Sequence, residues 1–110
     1  MKQMKILVIE NQSKVADEIK NELISQGFSV SVSGSVEMGI FRAKAYRFDL
    51  FIVNCGEDGK SGFTFASNLK KETDYNTQPF LFTINSKVKV DIRLRKFMHP
   101  FDIMRLPVDN

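Results

Sequence analysis

The chain has 110 residues, of which 43% are hydrophobic and 26% are charged, and its formal net charge is +3. These values are ordinary for a soluble globular protein, so we expect a single domain over residues 1–110. Its core should be large enough to be stable without disulfide bonds or a structural metal. No apolar run approaches the roughly 18 residues that a membrane span requires, and the single cysteine, Cys55, suits a reducing cytosol. We therefore expect a cytoplasmic protein.

Strand and helix patterns alternate along the first part of the chain. Residues 5–9 form a short apolar run, which predicts a strand that is buried on both faces. A helix is predicted next, with Ser13 as its N-cap and Gly27 after its last turn. Residues 28–32 alternate apolar and polar side chains, which is typical of a strand near the edge of a sheet.

The same alternation continues through the centre of the chain. Ser35 is predicted to cap a second helix, and residues 49–53 then form a central buried strand. The apolar residues of the second helix are Met38, Ile40, Phe41 and Ala45. This succession of strands and helices predicts a parallel sheet with right-handed crossovers.

The last third of the chain is predicted to add one helix and two strands. The helix covers about residues 63–71 with Phe65 and Leu69 on its inner face, a fourth strand covers residues 80–84, and Ile103 lies in a short fifth strand. Residues 87–98 fit both a strand alternation and a helical stripe. We favour a helix, because a crossover between parallel strands generally needs one.

Polar or unusual side chains stand where the predicted strands end. The first strand runs into Glu10 and Asn11, the central strand leads into Asn54, the fourth contains Thr83, and Leu106-Pro107 follows the fifth. In this order and spacing they resemble the receiver domain of bacterial response regulators, over nearly the whole chain. The resemblance implies a flavodoxin-like (CheY-like) α/β fold with a doubly wound, five-stranded parallel sheet in the order 2-1-3-4-5.

The resemblance also implies that the phosphorylation chemistry has been lost. In receivers an acidic pair after the first strand holds magnesium, and here Glu10 keeps one acid while Asn11 replaces the other. Asn54 occupies the position of the phosphoacceptor aspartate in receivers. A carboxamide is a poor nucleophile and attracts no divalent cation. Leu106 replaces the lysine that would pair with the phosphate. We therefore expect a degenerate phosphoacceptor pocket, retaining only Glu10 and Thr83, with no metal, no cofactor and no catalysis.

A basic stretch marks a second candidate region. In receivers the fourth helix and fifth strand form the surface that contacts dimer and output partners. By this resemblance the stretch is interpreted as an interaction face for a protein partner or a second copy, with a merely solvated surface as an equal alternative. Nucleic-acid binding by this domain alone is not expected, because no recognition helix or stacking motif is present. The residues of this face are Lys87, Lys89, Arg93, Arg95, Lys96, Ile103 and Arg105.

Three functional interpretations follow from the sequence. The first is an atypical receiver domain in signal transduction that is not phosphorylated and acts through protein–protein interaction. The second is the N-terminal receiver domain of a larger transcriptional regulator whose DNA-binding output domain lies elsewhere. The third, of a different class, is a small ligand-binding or enzymatic flavodoxin-like domain, although no nucleophile is paired with a base. Receivers usually close with a fifth helix, which is missing from this sequence either naturally or through a domain boundary.

Overall fold

The computed structural model describes residues 3–54, 61–75, 78, 80–84 and 101–105. It contains three helices and five strands in this part of the chain. In chain order these are β1 (Lys5–Ile9), α1 (Ser13–Ser25), β2 (Ser29–Ser33), α2 (Val36–Ala45), β3 (Leu50–Asn54), α3 (Ser61–Glu72), β4 (Phe80–Ile84) and β5 (Phe101–Arg105). None of the helices described has the length and apolar character that crossing a membrane requires.

The five strands form one parallel sheet in the order β2-β1-β3-β4-β5. The predicted α/β fold class and strand order are therefore confirmed. The first and fourth strands have the predicted bounds, while β2 and β3 each lie one residue later than expected. Residues 87–98, for which a helix is predicted, and the residues after 105 lie outside the described residues.

Both faces of the central strands β1 and β3 are buried, as expected for parallel strands with helical crossovers. Successive side chains of a strand point to opposite faces, so each central strand contributes side chains to two hydrophobic clusters, one on each face of the sheet. One cluster joins Leu7, Phe51 and Phe82 to α2 and α3, where Phe65 and Leu69 are fully buried as predicted. The other cluster joins Ile6, Val8 and Ile52 to Ile19 and Leu23 of α1.

The helix ends agree only in part with the predicted caps. The Ser35 hydroxyl accepts a hydrogen bond from the Met38 backbone nitrogen at 3.2 Å, so this N-cap prediction is confirmed. The prediction for α1 is wrong, because Gln12 occupies the N-cap position without a side-chain bond and Ser13 is already helical. Gly27 follows the end of α1 with a φ of +96°, a conformation that glycine adopts without steric cost.

Gly39 allows α2 to lie unusually close to β1. A Cβ atom placed on Gly39 would overlap the Ile9 side chain and would press on the Phe65 ring. We expect Gly39→Ala to lower the free energy of unfolding by about 1 to 2 kcal/mol, because overpacking outweighs the gain in helix propensity. Urea denaturation followed by circular dichroism measures this change.

Gly34→Ala is the matched control for this substitution. A Cβ atom on Gly34 would meet nothing within 4 Å, and the residue does not require a positive φ. Its replacement should therefore leave stability within about 0.5 kcal/mol of the original chain. Equal effects of the two substitutions would contradict the close approach of α2 to β1.

The loop between α2 and β3 is fixed by Tyr75, which follows α3. The buried Tyr75 hydroxyl donates to the Tyr46 carbonyl at 2.9 Å and accepts from the Phe48 backbone nitrogen at 3.0 Å. Arg47 stacks over the Tyr75 ring at 4.4 Å and pairs with Asp74 at 2.6 Å. The hydrogen bond between these two side chains raises the pKa of Arg47 and lowers that of Asp74. These contacts hold the start of β3, the strand that ends in Asn54.

Candidate functional site

Three of the predicted site residues meet at one edge of the sheet. Parallel strands end at the same edge, which is where open α/β sheets usually bind ligands. Ile9 of β1 pairs with Val53 of β3, so Glu10, the next residue, lies beside Asn54. Asn54 in turn pairs with Thr83 of β4. The backbone register alone thus brings Glu10, Asn54 and Thr83 together.

Glu10 is the charged centre of this group, and it is only 3% exposed. Its Oε1 atom accepts a hydrogen bond from Asn54 Nδ2 at 2.8 Å, and its Oε2 atom accepts one from the Gln12 backbone nitrogen at 3.0 Å. The Glu10 backbone nitrogen donates to the Ser33 carbonyl at 3.0 Å. Both carboxylate oxygens therefore have donors from within the chain, which offsets the cost of burying the charge.

Asn54 acts in this arrangement as a hydrogen-bond donor. An ionised carboxylate can only accept hydrogen bonds, so the carboxamide must turn its nitrogen towards Glu10. An aspartate at the same position would bring a second carboxylate to within hydrogen-bonding distance of the first. Such a pair requires a proton or a cation between the two groups. The Asn54 carboxamide removes this requirement.

The remaining predicted pocket residues are Thr83, Asn11 and Leu106. Thr83 is buried, at 1% exposure, next to Asn54 in the register. Asn11 follows Glu10 in the connection between β1 and α1 and is exposed. Leu106 lies outside the described residues. Within the part of the chain that the structure describes, no three His, Cys, Asp or Glu side chains are close enough together to hold a metal ion.

Comparison with known proteins relates this fold to a recurring class of structures. No protein-family model and no curated protein matches the sequence. Among solved structures, chemotaxis protein CheY4 of Vibrio cholerae is similar with a TM-score of 0.84 and 16% identity, over 98% of this chain and 90% of that chain. A response regulator receiver domain protein of Clostridium thermocellum has a TM-score of 0.73 and 25% identity, over 96% and 84% of the two chains. The fold is that of a CheY-like receiver domain.

A third receiver-fold structure contains ligands. It is the response regulator TrrA of Thermotoga maritima in complex with Mg²⁺-BeF, with a TM-score of 0.65 and 20% identity over 74% of this chain and 70% of that chain. The likeness to these structures concerns the fold.

The basic interaction face predicted for the receiver fold is described only at its end. Ile103 and Arg105 lie on β5, where they pair through the backbone with Phe82 and Ile84. The other members of the face, Lys87, Lys89, Arg93, Arg95 and Lys96, lie outside the described residues. An interaction face between β4 and β5 therefore stays a prediction.

One contact at the site was not predicted, the hydrogen bond from the Gln12 backbone nitrogen to Glu10. A backbone N–H has no residue-type signature, so no motif reveals such a donor. The position of Glu10 just before the start of a helix is the available signal, because carboxylates there often accept bonds from backbone nitrogens.

Proposed function

We propose that this chain is an atypical receiver domain in signal transduction that is not phosphorylated and acts by binding a protein partner. The observation that carries the proposal is the hydrogen bond from Asn54 Nδ2 to Glu10 Oε1, at 2.8 Å. This hydrogen bond links the two side chains at the sheet edge directly, without a metal ion or a phosphoryl group. The receiver fold provides the signalling context, and the site provides the reason for excluding phosphotransfer.

Phosphotransfer to a receiver needs a nucleophile and a cation that offsets the charge of the phosphoryl group. A carboxamide nitrogen lacks the available electron pair of a carboxylate oxygen, so Asn54 is a poor nucleophile. Magnesium prefers several oxygen ligands and gives up its water reluctantly. Glu10 is the one carboxylate at the described sheet edge, and both of its oxygens already accept hydrogen bonds. Neither requirement is met by these residues.

The test of phosphorylation uses acetyl phosphate and magnesium with the intact chain. We expect mass spectrometry to find no phosphoryl adduct, and calorimetry to find no saturable magnesium binding below about 1 mM. The positive control is the variant Asn11→Asp, Asn54→Asp, Leu106→Lys, which restores the charged residues of the receiver pattern. A phosphoryl adduct on the original chain, or saturation well below 1 mM, would disprove the proposal.

The binding part of the proposal is tested separately by affinity capture from nuclease-treated native lysate. The original chain is compared with the variant Arg93→Glu, Arg95→Glu. The matched control is Lys5→Glu, Lys71→Glu, which reverses two exposed lysines elsewhere on the domain. We expect a protein that is retained by the original chain and the control and lost from the arginine variant. Equal capture by all three chains would mean that the region between β4 and β5 is not the binding face.

A further inference from the structure

The outward face of α2 carries large apolar side chains that remain in contact with solvent. Phe41 is 67% exposed, Met38 is 47% exposed, and Tyr46 directly after the helix is 68% exposed. Met38, Phe41 and the exposed Ala45 are spaced three and four residues apart, so they form one stripe along the helix. We call Met38, Phe41, Ala45 and Tyr46 the α2 stripe. Contiguous apolar surface of this kind often marks an interaction site.

The α2 stripe is distinct from the side of the helix that packs on the sheet. Gly39 and Ala43 are buried, and Val36 and Ile40 pack against the core. Since Gly39 fits closely over Ile9, the helix cannot turn about its axis to bury Phe41 without disturbing this contact. The stripe is therefore held facing outward by the core packing.

The charges at the two ends of α2 favour a particular occupant. Glu37 lies in the first turn, and Arg42 and Lys44 lie in the last. If two copies of α2 pack antiparallel, Glu37 of each copy lies near the basic end of the other, twice by symmetry. A parallel arrangement would bring like charges together instead. The stripe and its flanking charges thus fit a second copy of the same chain.

We propose that the α2 stripe is a homodimer interface, in which two chains pack their α2 helices antiparallel about a two-fold axis near Phe41. This surface lies on a different element from the predicted face between β4 and β5, and the proposal does not depend on the chemistry at Asn54. A helix of ten residues is about 15 Å long, so the contact is smaller than the roughly 1,200 to 2,000 Å² of a stable interface. The dimer is accordingly weak and forms at high local concentration.

Sedimentation equilibrium from about 10 µM to 1 mM tests the proposal with the complete chain. We expect a reversible monomer–dimer equilibrium in this range, and at least about tenfold weaker association for Phe41→Glu, because an aromatic side chain at the centre of an interface contributes strongly. Ile24→Glu is the matched control. Ile24 is 48% exposed on α1, so its substitution should leave association unchanged. Circular dichroism confirms that each variant is folded.

A pair of charge variants tests the antiparallel arrangement. The first variant is Glu37→Lys, and the second is Lys44→Glu combined with Glu72→Lys, which preserves the ion pair that Lys44 forms with Glu72 at 3.0 Å. Each variant alone should associate more weakly than the original chain, whereas an equimolar mixture should recover the association through opposite charges. Failure of the mixture to recover it would overturn the antiparallel arrangement.

Three further results would overturn the interface itself. These are a strictly monomeric chain at 1 mM, a Phe41→Glu variant that associates like the original, and loss of association in Arg93→Glu, Arg95→Glu. The last result would place the interface between β4 and β5 instead of on α2.

Discussion

Asn54→Asp should destabilise the chain by about 2 to 4 kcal/mol in metal-free buffer at neutral pH. The substitution exchanges a donated hydrogen bond for a second carboxylate beside Glu10, which is 3% exposed. Two like charges at this separation repel each other by several kcal/mol at the effective dielectric constant of a protein site. Urea denaturation in the presence of a chelator measures the change in the free energy of unfolding.

Magnesium distinguishes charge repulsion from a general loss of packing. It should raise the Tm of Asn54→Asp, where it can lie between two carboxylates, and leave the Tm of the original chain unchanged. Asn21→Asp is the matched control, because it makes the same chemical change at an exposed position of α1 away from the site and should change stability by less than about 0.5 kcal/mol. If Asn54→Asp were as stable as the original chain without metal, the contact between Asn54 and Glu10 would be wrong.

Phe51→Ala should lower the free energy of unfolding by about 3 to 5 kcal/mol, a large share of the 5 to 15 kcal/mol typical of a domain. Phe51 is fully buried on β3 and is the centre of an aromatic cluster. Its ring centroid lies 4.9 Å from Phe80, 5.0 Å from Tyr75, 6.1 Å from Phe48 and 6.3 Å from Phe65. Removing the ring leaves a cavity and ends four contacts that join β3 to β4, α3 and the loop before β3. Urea denaturation followed by circular dichroism measures the loss.

The same chemical change at Phe41 is the control. Phe41 is 67% exposed, so Phe41→Ala should change the stability of the monomer by no more than about 0.5 kcal/mol. The comparison is made at low micromolar concentration, where the proposed dimer does not contribute. Similar losses for Phe51→Ala and Phe41→Ala would show that the aromatic cluster is not the centre of the core.

Much of the sheet was predictable because its central strands are buried on both faces. Such strands appear in the sequence as uninterrupted apolar runs, and residues 5–9 and 80–84 have the predicted bounds. The orientation of α2 was not predictable in the same way. Met38, Phe41 and Ala45 are exposed, while the smaller Gly39 and Ala43 face the core. The distance between helix and sheet decides this choice, and no local pattern encodes that distance.

The residues of the candidate site could be predicted from the sequence, but the hydrogen bonds between them could not. The order of the strands brings Glu10, Asn54 and Thr83 to one edge, and the resemblance to receiver domains had implied the same grouping. The direction of the bond between Asn54 and Glu10 depends on the rotation of a carboxamide, which sequence does not specify. The Gln12 contribution comes from the backbone, and the cap of α1 was misplaced by one residue in the same turn.

The parallel register also determines when the sheet can form during folding. Lys5 pairs with Ser29, Ile6 pairs with Leu50, and Phe51 pairs with Phe80, so every one of these strand pairings closes a long loop of chain. Closing a long loop costs conformational entropy before the contacts of the paired strands stabilise the chain. Such topologies therefore fold slowly for their size. On the ribosome, β1 is synthesised before its neighbour β3 and cannot pair with it until the segment through Asn54 has emerged. The apolar run of β1 therefore stays without its central partner while the residues between Ile9 and Leu50 are synthesised.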